Sequence, residues 1–465
     1  MLNSILFFLA EKWSRKNGFK ETLWIAYPLI LSTSAFSIQV FVDRMFLSWY
    51  SSEALAAALP TAILSFNAVS FFLGTSQYVG TFVAQYIGAN SPKKIGNIIW
   101  QGIYFSASGG IILLILSFMG KPIFNFIGHD PIVREHEIMY WRFLSISGIF
   151  QIQIGALSSF FSGQGRTLPV MWSSFAATAI NVCFNYCLIF GNFGFPEMGI
   201  EGAGISTLIA AFTNVGILSF LIFTSKNNKE FQVRSSYNFN AFKFKRLVKF
   251  GLPNGFTFFL NITVFTVFVL LVGRIGVVEL AATNIAMNMA MLAFMPIMGL
   301  GISVMVQVGQ SIGANKPLLA KRATYSGLQI SFIYLSVISI FYLFFPQILL
   351  YPYRMHSSSN NFDQIAEMTK IILRFITFWG FFDALGIIIS AGLKGAGDTK
   401  FIMIAIAVIG TSVAIVPAFV IIEILSLGIY SAYLNGTVFM AILGITYWIR
   451  FRAGKWSTMR VIEIH

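Results

Sequence analysis

The sequence predicts an all-α integral membrane protein of twelve transmembrane helices in two six-helix lobes, and three observations predict it. Of its 465 residues 57% are hydrophobic and only 10% charged, whereas soluble chains carry about a quarter charged residues. Hydrophobic runs bounded by charges or turn residues recur along the chain, each long enough to cross a bilayer. Short motifs of the first half return in the second half at nearly constant spacing.

In chain order the predicted spans are 23–48, 54–86, 95–118, 138–160, 169–190, 203–224, 248–272, 279–311, 323–345, 364–391, 401–424 and 428–450. No charge interrupts 54–92 or 280–315, so spans two and eight are expected to project beyond the hydrocarbon or to tilt strongly. The first ten residues, "MLNSILFFLA", are too short to span, and their positive charges follow them instead of preceding them as in a secretory signal. They read as an interfacial segment.

Assigning alternate loops to alternate sides puts 23 of the 31 Lys and Arg on the side of the termini and 8 on the other. That asymmetry predicts cytoplasmic termini; the expected location is a plasma membrane, a bacterial inner membrane being the expected case. The net charge of +14 therefore reports topology; the basic residues form short clusters between apolar spans and no continuous face for nucleic acid. The longest connection, 225–249, carries Lys226, Lys229, Arg234, Lys243, Lys245, Arg246 and Lys249, and rest on anionic headgroups explains such a polybasic segment.

"QYIGANSP" at Gln85–Pro92 returns as "QSIGANKP" at Gln310–Pro317, a shift of 225 that also pairs Pro28 with Pro253, Gly74 with Gly299 and Gly102 with Gly327. "SGQGRT" at Ser162–Thr167 matches "KGAGDT" at Lys394–Thr399 at a shift of 232, with seven residues added in between, placed in "YPYRMHSSSNN". Six spans per half is an even number, so the copies share orientation and are related by an axis along the membrane normal. The expected organisation is a terminal segment 1–22, an N-lobe 23–224, a linker 225–247, a C-lobe 248–450 and a tail 451–465, with substrate in the cleft between lobes.

Span one holds the residue with most chemistry. "WIAYPLILSTSAFSIQVFVDRMFLS" (Trp24–Ser48) is apolar except for a single acid with its neighbouring arginine, Asp43 and Arg44. A carboxylate at membrane depth costs at least about 2.5 kcal/mol and faces a protein interior or a water-filled cavity. Ser32, Phe36, Gln39 and Asp43 recur at helical spacing, and Pro28 can bend the helix as a hinge. Arg44 points about 100° away from Asp43, a poor ion-pair geometry. The second intramembrane acid, Asp383, stands nine residues from Arg374, about 13 Å along a helix, which favours a cavity role over a local pair. The repeat sets Asp43 against Phe268 and Asp383 against Gln151, so each lobe has its own polar site.

Other chemistries lack their residues. Cys183 and Cys187 lie four apart in one span and read as packing residues. His129, His136, His356 and His465 fall in loops or at the terminus, no HExxH motif or Ser and Lys dyad occurs, and no phosphate loop is present. An enzyme, an organic cofactor and direct ATP coupling are not expected. Gly88 and Gly313 read as left-handed helix ends with Asn90 and Asn315 as nearby turn formers, and Gly163, Gly165, Gly395 and Gly397 likewise.

Pro28 followed by Asp43, the two "GAN" turns, "NVCFNYCLIFGNFGFPEMGIEGAGIST" at Asn181–Thr207, "GLP" at Gly251 and "GLKGAGDT" after span ten together resemble the multidrug and toxic compound extrusion (MATE) family over residues 20–450. The resemblance implies a V-shaped pair of lobes with a central cleft, acting as a monomer, that exports amphipathic organic cations in exchange for protons or sodium ions. Asp43 matches the family's first-helix acid, Asn181 a span-five asparagine, and Thr207 a hydroxyl of the same cluster. Asn185 falls where one branch has a second acid. Asn261 falls where another branch has a glutamate, and Asp383 matches that branch's span-ten acid. If sodium is the coupling ion, Asp43, Asn181, Asn185 and Thr207 would supply its oxygens; proton and sodium both stay open. A flippase for lipid-linked oligosaccharides shares the two-lobed architecture and is the alternative, although it would want several basic residues within the spans.

The charge asymmetry makes a direct prediction: a cysteine at Ser235 is labelled by an impermeant maleimide only from the cytoplasmic side, and labelling from outside would invert the topology.

Overall fold

A computed structural model describes residues 12–355 and 362–463. The segment 1–10, the end of the "YPYRMHSSSNN" insertion, His356 and His465 lie outside the described residues. Among the described residues twelve helices are long and apolar enough to span a membrane, and no strand occurs. A bilayer interior offers the backbone no hydrogen-bond partner, so each segment satisfies its own amides as a helix. We number these α1 (Phe19–Tyr50), α2 (Ser52–Gly88), α3 (Ile95–Ser117), α4 (Pro131–Gly163), α5 (Leu168–Phe190), α6 (Gly199–Ile222), α7 (Ala241–Gly273), α8 (Val277–Gly313), α9 (Pro317–Phe344), α10 (Phe362–Ala396), α11 (Thr399–Ile424) and α12 (Ile429–Arg452).

The long second and eighth spans are each 37 residues, about 55 Å of helix, well beyond the roughly 30 Å hydrocarbon thickness. Helix ends follow local chemistry. Ser51 accepts from the amide of Ala54 at 3.0 Å to start α2, and Asp130 accepts from Ile132 at 2.9 Å with Pro131 in the first turn of α4. At the two "GAN" turns the left-handed residues are Asn90 (φ 52°) and Asn315 (φ 60°), and Gly88 and Gly313 remain helical. This corrects the sequence expectation: asparagine tolerates that conformation because its short polar side chain bonds locally. In the other motif pair Gly165 and Gly397 do take positive φ, whereas Gly163 and Gly395 are helical positions where an added Cβ would come within 2.6 Å of Val83 and 2.5 Å of Met305.

The halves differ in detail: α2 is interrupted at Tyr78 whereas α8 is one continuous helix, and the fifth and eleventh spans differ more. α5 is a regular helix, but α11 widens into π turns at Gly410–Ile415 and Val420–Ile424. Pro417 lies just beyond the first of these; its ring clashes with the carbonyl four residues back and it has no amide to donate, so the chain takes up the wider turn.

The described chain divides into two compact units, one of Leu260–Arg460 with the segment up to Ala26, the other of Tyr27–Phe259 with the residues from Val461. In the first unit Asn17 donates to the Ser311 hydroxyl at 2.9 Å and to the Leu319 carbonyl at 3.0 Å, Thr22 donates to Gln307 at 3.1 Å, and a buried Asp398 holds Arg450 at 2.7 Å. In the second unit α2 and α7 approach so closely that a Cβ on Gly255 would lie 2.2 Å from the Phe71 carbonyl oxygen. The tail enters that unit's core: Val461 and Ile462 are buried, Gln85 accepts from the Val461 amide at 2.9 Å, and Arg246 donates to the Val461 carbonyl at 2.6 and 2.8 Å. Tyr86 donates to the Glu463 carboxylate at 2.8 Å, and Lys94 pairs with it at 3.2 Å.

Burial pushes the Glu463 carboxyl up, but its own backbone amide together with Tyr86 and Lys94 outweighs that and holds it below the usual carboxylate range. A depressed acid contributes stability that is present above its unfolded pKa, about 4.3, and is lost as pH falls through the folded value. Glu463→Gln at neutral pH should therefore raise deuterium uptake at 461–463 several-fold; unchanged uptake would show that the ion pair does not hold the tail.

Candidate functional site

Within the Tyr27–Phe259 unit, α1 and α5 lie side by side and in the same direction. The Ser32 and Ser174 hydroxyls are 2.6 Å apart, Thr178 donates to the Ala35 carbonyl at 3.3 Å, and the Asn185 amide donates to the Asp43 carboxylate. The sequence separations across these contacts are 142, 143 and 142, so the helices stay in register over three helical turns. Parallel direction follows from topology, because spans one and five are both odd-numbered.

Asp43 closes this polar seam. It is 8% exposed, and Asn181 and Asn185 are fully buried. The Asn185 amide nitrogen reaches both Asp43 and, at 3.0 Å, the Asn181 side-chain oxygen. One NH2 group thus serves two oxygens, and among the described residues the Asn185 Oδ1 and Asn181 Nδ2 atoms are left buried without partners. Such atoms cost about 1–3 kcal/mol each unless something fills them. Arg44 is exposed and forms no ion pair with Asp43 among the described residues. The Thr207 hydroxyl, 8% exposed, donates to its own helix at Ala203 (3.0 Å), which leaves its oxygen as an acceptor.

Not every predicted residue joins the set. Gln39 is half-buried with no hydrogen bond to Asp43, and Phe36 is 46% exposed. α1 runs unbroken through Pro28. One residue is new: Tyr140 of α4, 5% exposed, is buried in one cluster with Phe46, Ala54 and Ile200, against which Val42 and Val182, the neighbours of Asp43 and Asn181, also pack. Nothing in the spacing of "HEIMYWR" singles it out, because its proximity depends on how α4 lies against α1.

The Leu260–Arg460 unit is built differently. Phe268, the counterpart of Asp43, meets Tyr433 (5.3 Å, 87°) and Trp379 (6.2 Å, 90°) edge to face. Beside them a cavity of about 50 Å³ is lined by Asn261, Phe265, Trp379, Asn435 and Phe439. Asn435, unanticipated from sequence, donates to the Ala414 carbonyl at 3.1 Å, inside the π turn that frees it. Asp383 is half-buried one turn beyond Trp379 and has no ion pair with the exposed Arg374. The structure therefore gathers Asp43, Asn181 and Asn185, and does not link Asp383 with Asn261 by a hydrogen bond.

Oxygens suit hard cations. The Asp43 carboxylate, the Asn181 carbonyl, the unpartnered Asn185 carbonyl and the Thr207 hydroxyl could hold sodium if the Asn185 amide turned; a proton on Asp43 would find the same acceptor.

Twelve apolar spans among the described residues, with a buried acid and amide set inside one compact unit, are the features of a membrane transport protein. The MatE family model matches residues 28–187 and 253–420, and the chain belongs to the multidrug and toxic compound extrusion family. It is similar to the probable multidrug resistance protein NorM of Thermotoga maritima, 25% identical over 448 residues that cover 95% of this chain and 94% of that one. The protein of the same description from Oceanobacillus iheyensis is 27% identical over 407 residues, 84% of this chain and 86% of that one. Among solved structures, an outward-facing multidrug resistance MATE family transporter superposes with a TM-score of 0.84 at 18% identity, over 96% of this chain and 98% of that one. The eukaryotic MATE transporter AtDTX14 does so with 0.84 at 19% identity, over 95% and 98%.

Removing the shared donor should be felt on folding: Asn185→Leu is expected to lower stability by about 1 kcal/mol, the scale of interhelical hydrogen bonds in membranes, read as a lower Tm in detergent. Ser174→Ala, at a part-buried hydroxyl pair, should cost less.

Proposed function

We propose that this protein exports amphipathic organic cations across a bacterial inner membrane in exchange for protons or sodium ions, with Asp43 as the coupling residue. The observation that carries the reading is the buried Asp43, Asn185 and Asn181 chain with one acceptor left over. Bacterial relatives described as multidrug resistance proteins support the substrate class.

The chemistry turns on an amide. With Asp43 ionised, Asn185 presents its NH2 to the carboxylate. When Asp43 takes a proton or a sodium ion, the favourable partner becomes an oxygen, and Asn185 satisfies it by turning its carbonyl inward. Such a turn breaks the Asn185 to Asn181 bond and changes how α1 lies along α5. The ionised state attracts a cationic substrate and the neutralised state does not, which makes binding of ion and drug exclusive. Each charge moved down about 100 mV supplies about 2.3 kcal/mol, and each pH unit about 1.36 kcal/mol. Alternating access follows as rocking of lobes 23–224 and 248–450, with the termini cytoplasmic. Asp383 and Asn261 serve the second lobe, where drug contact outweighs coupling.

Efflux of a fluorescent organic cation from proteoliposomes, with pH and sodium gradients imposed separately, tests this. Asp43→Asn should insert normally and lose gradient-driven efflux by at least ten-fold, with Asp383→Asn less affected; the reverse order would move coupling to the second lobe. Asn185→Asp should shift the pH or sodium profile more than drug recognition, and an unchanged profile would remove Asn185 from coupling. Spin labels at Glu53 and Glu279 should change separation between drug-bound and ion-bound states; a fixed distance would count against rocking.

A further inference from the structure

The linker and the first turns of α7 carry seven basic residues in sequence, but the fold sorts them. Arg246 is committed to the Val461 carbonyl and Arg234 to the Phe223 carbonyl at 2.7 Å; Lys243 is half-buried over the Tyr86 ring at 5.9 Å, and Lys249 lies 5.6 Å over the ring of its neighbour Phe250 but keeps its exposure. Lys245 and Lys249 remain exposed on α7, which has no acidic residue. They are one helical turn apart, flanked along the same helix by Phe242 (61% exposed) and Phe256 (41% exposed). At 100° per residue Phe242, Lys245, Lys249 and Phe256 fall within a sector of about 60°, so they form one exposed stripe of two cationic groups bracketed by two aromatic ones.

The height of this stripe can be read from helix length. α7 is continuous to Gly273. At 1.5 Å per residue Lys249 stands about 36 Å and Lys245 about 42 Å from that end, whereas Phe256 stands about 26 Å from it. A hydrocarbon core of about 30 Å within about 40–45 Å of total bilayer puts Phe256 among acyl chains and both ammonium groups among headgroups. The internal repeat carries Lys245 onto Lys20, also exposed, and Lys249 onto Trp24, which is 72% exposed. Both repeat-opening helices therefore present a cation with an exposed aromatic at the corresponding level.

We propose that Lys245 and Lys249 form a binding site for the phosphate of an anionic phospholipid in the leaflet on the side of the chain termini, with Phe256 against its acyl chains. Two adjacent ammonium groups match a phosphodiester's charge, the flanking rings match the interface, and the site is separate from Asp43 and independent of the coupling ion.

The test is lipid retention on the purified full chain. Native mass spectrometry in detergent with added phosphatidylglycerol or phosphatidylcholine should show preferential retention of phosphatidylglycerol. K245Q/K249Q should lose that preference by about ten-fold, in keeping with the contribution of each lysine near an anionic surface, and K245R/K249R should keep it. K226Q/K229Q, which removes two exposed lysines of the Ser225–Phe231 helix, should leave it unchanged. Equal loss in both Gln pairs would mean diffuse charge and no site; equal retention in all variants, or displacement of the lipid by millimolar inorganic phosphate, would overturn the assignment.

Discussion

Asp43 is held by an amide that it must share. The Asn185 NH2 group bonds the carboxylate and the Asn181 oxygen together, and that single donor joins α1 to α5 near one end of a seam that Ser32 and Ser174 begin near the other. In an apolar surrounding an ionised acid has few acceptable partners, so a shared donor is both a fastening and a point of change. Its strength depends on the charge of Asp43, because an amide donates to a carboxylate and must accept from whatever neutralises it. Packing of α4 through Tyr140 and of α6 through Ile200 and Ala203 closes the surroundings.

The two halves apply one backbone plan to different chemistry. Paired helices have matching lengths and matching asparagine turns, yet the acid of the first half faces the rings of the second, Phe268, Tyr433 and Trp379. A polar seam demands a regular α5, since each hydrogen bond depends on registry. The aromatic counterpart tolerates the π turns of α11, which open a small cavity and expose the Ala414 carbonyl to Asn435. Duplication followed by divergence at these positions is the economical account of a repeat with alike turns and unlike centres.

The number, order and approximate limits of the spans were legible in the sequence, as were the repeat and the intramembrane acids Asp43 and Asp383. Each rests on local information: apolar length reports a span, a recurring "GAN" reports a turn, and a spacing of four puts two asparagines on one face. The family resemblance pointed to Asn181, Asn185, Thr207 and Asn261, whereas Asp383 was read from its own position in a span. Tyr140 and Asn435 were not legible, because each matters through a neighbour more than 20 residues away in sequence.

Hydropathy and charge determined by themselves that this chain spans a membrane twelve times, because burial of apolar surface and the cost of moving cations across lipid depend on composition and order alone. Which of seven basic residues stay exposed, which atom of Asn185 meets Asp43, and that asparagine instead of glycine takes the left-handed turn were decided only by the tertiary structure. The physical reason is the same in each case: a hydrogen bond or a positive φ is settled by what lies within about 3 Å, and helix packing, not sequence spacing, brings those atoms there.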